Sequence, residues 1–209
     1  MLTIKNFAKR YNGVLIVSLT EMRLTPGVYW IKGENGSGKT SFFKSLAGLL
    51  PYDGEITFDD SINLKSHPIE YRMRVNYGEA EPLYPGFLTA KDLIHFIGKA
   101  KGATSEQQNS LVKHFGIESF YTKACETYSS GMIKKLSLAL AFLGNPKVII
   151  LDEPLITLDE QTRGLLFQLI QATIAKDVIF LISSHQLIEN STLEIVGTYK
   201  IANKEILAV

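Results

Sequence analysis

Two apolar-rich runs open the chain, "LTIKNFAKRY" and "VLIVSLTEM", separated by Asn12-Gly13. Both turn residues tolerate the positive φ of a tight turn, so the pattern predicts a β-hairpin. "GVYWIKG" reads as a buried strand, and "SFFKSLAGLL" as a helix leaving the glycine-rich loop between them. "GEITFDD" and "RVNYGE" add short strands. From about Pro82 to Leu143 the pattern turns helical. Leu93, Phe96 and Ile97 share one face, Thr104 and Gln107 have the spacing of a capping box, and Leu136, Leu140 and Leu143 line one side of a helix after Gly131. "VIILDE" and "VIFLISS" return to strand around a helix carrying Leu165, Leu166 and Leu169, and "IVGTYKIANKEILAV" predicts a terminal hairpin.

Strands alternating with helices imply an α/β fold with a mainly parallel sheet core. The N-terminal hairpin adds an antiparallel β flank, and the helical middle reads as an inserted α-helical subdomain. The expected organisation is one domain, with residues 1–81 and 144–209 as the core and 82–143 as the subdomain. A chain of 209 residues that is 45% hydrophobic can bury such a core. Charge then narrows the partners: 22 basic against 21 acidic residues give +1, which argues against nucleic acid or an anionic membrane as the main partner. Cys125 is the single cysteine, so no intrachain disulfide can form and a reducing compartment is expected. No apolar run reaches bilayer length and no signal-peptide pattern opens the chain, so a soluble, cytoplasmic protein is expected.

The chemistry sits in two stretches. "GENGSGKT", Gly33 to Thr40, matches G-x-x-x-x-G-K-[ST] between a strand and a helix, the setting of a phosphate-binding P-loop. Gly33, Asn35, Gly36, Ser37 and Gly38 let the backbone wrap phosphate oxygens with N–H groups inward. Lys39 is expected on the β- and γ-phosphates, Thr40 as a Mg²⁺ ligand, and Ser41 beside it in the cradle. The second stretch is "VIILDEP": four apolar residues deliver Asp152 to the C-terminal end of a strand, where ligands bind in open α/β sheets. Asp152 is expected to hold Mg²⁺, and Glu153 to polarise an attacking water. Alone, Asp-Glu at a strand end is a common solvated loop start; the upstream cradle gives it a partner.

A guanine-specific GTPase would carry Asn-Lys-x-Asp, and "NKEI" at Asn203 lacks the aspartate. The remaining marks, spread over essentially the whole chain, resemble the ATP-binding cassette (ABC) ATPase family. Tyr11 lies where that family stacks adenine, "YSSGM" (Tyr128 to Met132) where it has its LSGGQ signature, Asp159 where it has the D-loop aspartate, and His185 where it has the switch histidine. The "YSSGM" form is similar to signatures of bacterial export ATPases. The resemblance implies ATP and Mg²⁺ as ligands and a head-to-tail pair of cassettes, the second chain being another copy or a paralogue. Ser129 and Gly131 of one chain then meet the γ-phosphate held by Lys39 of the other. It further implies a separate integral membrane permease, with this chain peripheral on the inner face of the cell membrane. Independently, a helix start with free N–H groups suits an anion, and Ser129 or Ser130 can also act as an ordinary N-cap.

Two departures stand out. Ser130 and Met132 replace a glycine and a glutamine of the signature while Ser129 and Gly131 remain. In "VNYGEAEPLYP", Ala80 occupies the place of the family's Q-loop glutamine, flanked by Glu79 and Glu81. Either a neighbouring glutamate substitutes or metal binding and coupling are weaker. The leading expectation is the ATP-hydrolysing subunit of an ABC transporter, of export type. The alternatives are a soluble ABC ATPase of translation or DNA repair, and a weakly hydrolysing regulatory nucleotide-binding module.

Overall fold

The computed structural model describes residues 1–184 and 193–209. His185 lies outside the described residues. Asn12 and Gly13 adopt φ of 49° and 80°, and the turn pairs β1 (Leu2–Tyr11) antiparallel with β2 (Val14–Leu24). β3 (Gly27–Gly33) enters the glycine loop and α1 (Lys39–Leu46) leaves it. β4 (Asp53–Phe58) pairs with β1 and with the two-residue β5 (Ile62–Asn63), extending the flank. A short α2 (Pro68–Arg74), which the hydrophobic pattern does not announce, leads into β6 (Val75–Gly78). The helical stretch holds α3 (Ala90–Lys101), α4 (Ser105–His114) and α5 (Ser130–Ala141). Then come β7 (Val148–Leu151), α6 (Glu160–Ile174), β8 (Ile179–Ser183), β9 (Ile195–Ala202) and β10 (Glu205–Ala208).

Among the described residues the strands form one sheet in the order β5-β4-β1-β2-β10-β9-β3-β8-β7-β6. From β9 to β6 neighbouring strands run parallel. β7 and β8 are buried along their whole length, as continuous apolar runs in a covered parallel sheet should be. The terminal hairpin does more than cap the sheet: β10 is antiparallel to β9 and pairs in parallel with β2 at Glu205 and Ser18, joining the flank to the parallel core. α1 fills the space between them, with Phe42 edge-on to Phe7 at 5.2 Å. On the other face a second apolar cluster gathers α3 to α6 against β7 and β8.

Local details depart from the expected pattern in two places. On α3 the buried stripe is Ala90, Leu93 and Ile94 with Ile97 beside them, and Phe96 is 70% exposed. The stripe is centred about a third of a turn away from Phe96. Thr104 caps α4, accepting from the Gln107 N–H at 3.2 Å, but the Gln107 side chain does not return to close a box. Its amide instead donates to the carbonyls of Phe142 and Gly144 and accepts from the Gly144 N–H, bridging α4 to the end of α5. The complete capping box is Thr89 with Asp92, at the start of α3.

Candidate nucleotide-binding site

The parallel strands bring the two motifs together. β3 ends at Gly33 and β7 at Leu151, with β8 between them, so the glycine loop and Asp152 emerge on the same edge of the sheet. Gly38 initiates α1 in the left-handed region, at φ 104°, with Ile16 and Val17 side chains 3.1 and 3.2 Å from where a Cβ would stand. A side chain there meets both strain and a wall, so glycine is required. The loop, Ala80, Glu81, Asp152, Glu153 and Ile156 line a cavity of about 510 Å³. Lys39 is buried, and its ammonium closes on the loop, donating to the Gly33 and Glu34 carbonyls at 2.8 and 3.1 Å. Burial lowers its pKa, while the Glu153 and Asp152 carboxylates pull it back up.

Asp152 is held on three sides. Thr40 Oγ1 donates to Oδ2 at 2.7 Å, Ser183 Oγ donates to Oδ1 at 2.6 Å, and the Tyr77 hydroxyl reaches Oδ2 at 3.3 Å. Burial, and then the Asp152 charge, raise the Tyr77 pKa, so that phenol stays a donor. Ser183 Oγ also accepts the Glu153 N–H at 2.9 Å. Glu153 is buried at φ 45°, a left-handed conformation that a side-chain-bearing residue keeps only when its surroundings impose it. Thr40 and Asp152 present hard oxygen donors to one point, and among the described residues no three His, Cys, Asp or Glu side chains are placed to hold a metal ion by themselves. That set fits Mg²⁺, which takes few protein ligands and completes its octahedron with water and phosphate oxygens.

Ala80 and Glu81 line this cavity, whereas the Glu79 carboxylate pairs with Lys44 at 3.6 Å. Of the two glutamates flanking Ala80, Glu81 is therefore the one beside the P-loop. Tyr11 is half-exposed, with its hydroxyl 3.4 Å from Ser41 Oγ and the Lys9 ammonium 4.4 Å from its ring centre.

Ser129 and Gly131 are not among the residues lining the cavity. Ser129 caps α5, its hydroxyl oxygen accepting the Met132 N–H at 3.3 Å, and Ser130 is exposed as the first helical residue. Gly131 packs on the next loop, where a Cβ would stand 3.3 Å from the Thr157 carbonyl. Among the helices of the described residues, α1 and α5 lack an acidic residue in the first turn, while α2, α3, α4 and α6 each carry one. Both helix starts thus present N–H groups with no carboxylate in their own first turn to neutralise them. Asp159 caps α6, accepting from the Thr162 N–H at 2.7 Å, and pairs with Lys135 of α5 at 3.7 Å. The Thr162 bond holds its carboxyl below the usual range.

Three residues at the site escape motif reading: Tyr77, Ser183 and Lys134. Tyr77 and Ser183 lie near the ends of β6 and β8, the strands on either side of β7, so strand order is the signal that finds them. Lys134 is a charged residue in the buried stripe of α5, 2% exposed, donating to the Glu79 and Ala80 carbonyls at 2.9 Å each and reaching the Asp152 carbonyl at 3.5 Å. Burial lowers its pKa to about 8, against the pull of the Asp152, Glu153 and Glu81 charges.

A family model described as "ABC transporter" matches residues 21–156. The ABC transporter ATP-binding protein NatA of Bacillus subtilis is 29% identical over 197 residues, covering 88% of this chain and 79% of NatA. The cytochrome c biogenesis ATP-binding export protein CcmA of Legionella pneumophila is 33% identical over 166 residues, covering 77% and 80%. A dimeric ATP-binding cassette solved in a post-hydrolysis state with ADP and Pi superposes with a TM-score of 0.85 at 19% identity, over 99% of this chain and 96% of that one.

Proposed function

The chain belongs to the ABC transporter family of ATP-binding cassettes, and from that premise we propose that it hydrolyses ATP between two cassettes to drive a separate membrane permease in export. The observation that carries this reading is the Thr40–Asp152–Ser183–Glu153 network at the mouth of the P-loop. It holds a hard-oxygen donor pair and a buried carboxylate beside a lysine and a phosphate cradle. Lys39 and the first N–H groups of α1 bind the β- and γ-phosphates. Tyr11 stacks the base, with Ser41 at its edge. Glu153, fixed by Ser183, orients a water for in-line attack on the γ-phosphorus and takes its proton as the bond to the bridging oxygen breaks, leaving ADP and phosphate. Thr40 and Asp152 would hold Mg²⁺, which neutralises charge on the phosphate oxygens.

The start of α5 supplies the other half of a composite site. Ser129 and Gly131 bind the γ-phosphate held by a second chain, another copy or a paralogue, with Asp159 at the junction. Dimeric assembly in the structural relative and the absence of an acid in the first turn of α5 support this. No helix among the described residues is long and apolar enough to cross a membrane, and the permease is proposed as a separate subunit. Exposed Leu83 and Phe87, in the loop after β6, provide apolar surface for it. The export direction follows the likeness to CcmA, which is named as an export protein.

The test is E153Q with ATP and Mg²⁺, followed by light scattering. A stable ATP-dependent dimer is expected, and a monomer at saturating ATP sinks the composite-site reading. K39A should abolish nucleotide binding in equilibrium titration; unchanged affinity refutes the cradle.

A further inference from the structure

We propose that Lys134 is a positioning residue of the nucleotide site: it clamps the loop carrying Ala80 and Glu81 to the main chain at Asp152 and so fixes the carboxylate wall of the cavity. This rests on the ATPase reading above. β6 and β7 are paired up to Gly78 and Leu151, and the last rung is the Asp152 N–H to the Gly78 carbonyl at 2.9 Å. Just past that rung Lys134 supplies the next bridge, from α5, with Nζ directed at the carbonyls of Glu79, Ala80 and Asp152.

An ammonium suits this place for two reasons. It has three donors for three acceptors, where a side-chain amide has two. Its charge also faces the carboxylates of Asp152, Glu153 and Glu81, which converge on one small cavity. An apolar replacement leaves these partly buried carbonyls without this donor and removes a positive charge that offsets those acids. Ala80, which has no side-chain donor or acceptor, cannot make the contact itself, so the loop is held through its backbone. The phosphate-binding group Lys39 is held by its own bonds to the Gly33 and Glu34 carbonyls. Losing Lys134 should therefore misplace Glu153 and Glu81 and leave nucleotide capture largely intact.

The experiment compares wild type with K134M, which keeps length and apolar volume. ATP affinity is measured in EDTA, and kcat and KM with Mg²⁺. The expected result is ATP affinity within twofold of wild type, KM within about threefold and kcat lowered about 30-fold, the signature of misplaced catalytic groups. A folded K134M with wild-type kcat, whatever its melting temperature, overturns the proposal, since a merely structural lysine would move only the melt. An equal loss in EDTA affinity also overturns it. Should K134M fail to fold, K134Q replaces it with the same expectation, and failure of both variants to fold makes Lys134 a folding residue and overturns the assignment. Wild type that binds ATP without hydrolysing it refutes the ATPase reading itself, whereas active wild type with unaffected K134M refutes the clamp alone.

Discussion

Replacing Ser183 with alanine removes one oxygen and disturbs two residues. The hydroxyl donates to Asp152 Oδ1 at 2.6 Å and accepts the Glu153 N–H at 2.9 Å, and Ser183 is fully buried, so water cannot take its place. A hydrogen bond to a charged group contributes about 1.5–3 kcal/mol, and an orphaned buried N–H costs about 1–3 kcal/mol. The two share one atom and are not additive, so a loss of about 3 kcal/mol is expected. For a domain of this size that corresponds to a melting temperature lower by roughly 6–12 °C. Activity should fall further than stability suggests. The Glu153 backbone sits at φ 45°, and the Ser183 bond is part of what keeps it there. Once released, its carboxylate drifts from the attacking water, and a displacement of about 1 Å costs about a hundredfold in rate. KM should change little, because Lys39 and the glycine loop are untouched. Steady-state ATPase measurements with a thermal melt read both effects. An S183A protein with kcat within threefold of wild type and a melt within 2 °C would refute the idea that this hydroxyl organises Asp152 and Glu153.

The remaining expectations concern the rim and the fold. Y11A should raise the ATP dissociation constant about tenfold, the loss of one base–ring stack, while Y11F, which keeps the ring, should bind within about twofold; equal binding by Y11A removes Tyr11 from the base site. Lys101 is partly buried, with Nζ bonded to the Arg72 and Val75 carbonyls, and burial with the Arg72 charge lowers its pKa to about 8. Because the unfolded chain keeps that proton up to pH 10.5, the contribution is fully present above the unfolded value and lost as pH falls through about 8. The stability of wild type relative to K101M, measured by urea denaturation, should therefore rise between pH 8 and 10 by on the order of 1 kcal/mol after allowing for solvent access; a flat or falling difference contradicts the assigned burial.

Elements set by local chemistry were legible in the residue pattern. Asn12-Gly13 needs only its own backbone freedom, and "VIILDE" and "VIFLISS" need only burial on both faces. The P-loop and Asp152 were equally legible, because their spacing is dictated by a ligand. Long-range pairing was not. Nothing in "IVGTYKIANKEILAV" says that its first strand lies beside β3 and its second reaches β2, since neither partner is near in sequence. The Gln107 side chain departs from the local pattern for the same reason: a capping box loses to three hydrogen bonds with residues 35 or more positions away. Tyr77, Ser183 and Lys134 are site residues by virtue of strand order and helix docking, which no single motif contains.

The way α5 is held bears on how its two ends can act. A helix leaves carbonyls unpaired at its C-terminus and N–H groups unpaired at its N-terminus. At the C-terminal end of α5 the Asn76 amide of β6 donates to the Ala141 and Leu143 carbonyls at 2.8 Å each, and Gln107 donates to those of Phe142 and Gly144. That end is therefore tied to the strand that leads to Ala80. One turn in from the other end, Lys134 is tied to the same loop, and next to it Lys135 pairs with Asp159. The start of α5 is thus anchored through side chains to both chain segments that leave the nucleotide cavity, after β6 and after β7. A shift in the loop at Ala80 and Glu81 either carries the Lys134 ammonium with it or breaks two hydrogen bonds, so the loop and the first turns of α5 share one tether. The cavity and the anion site proposed at the start of α5 are consequently joined by a helix, and because the tie at Ala80 is made to its carbonyl it does not depend on the side chain there.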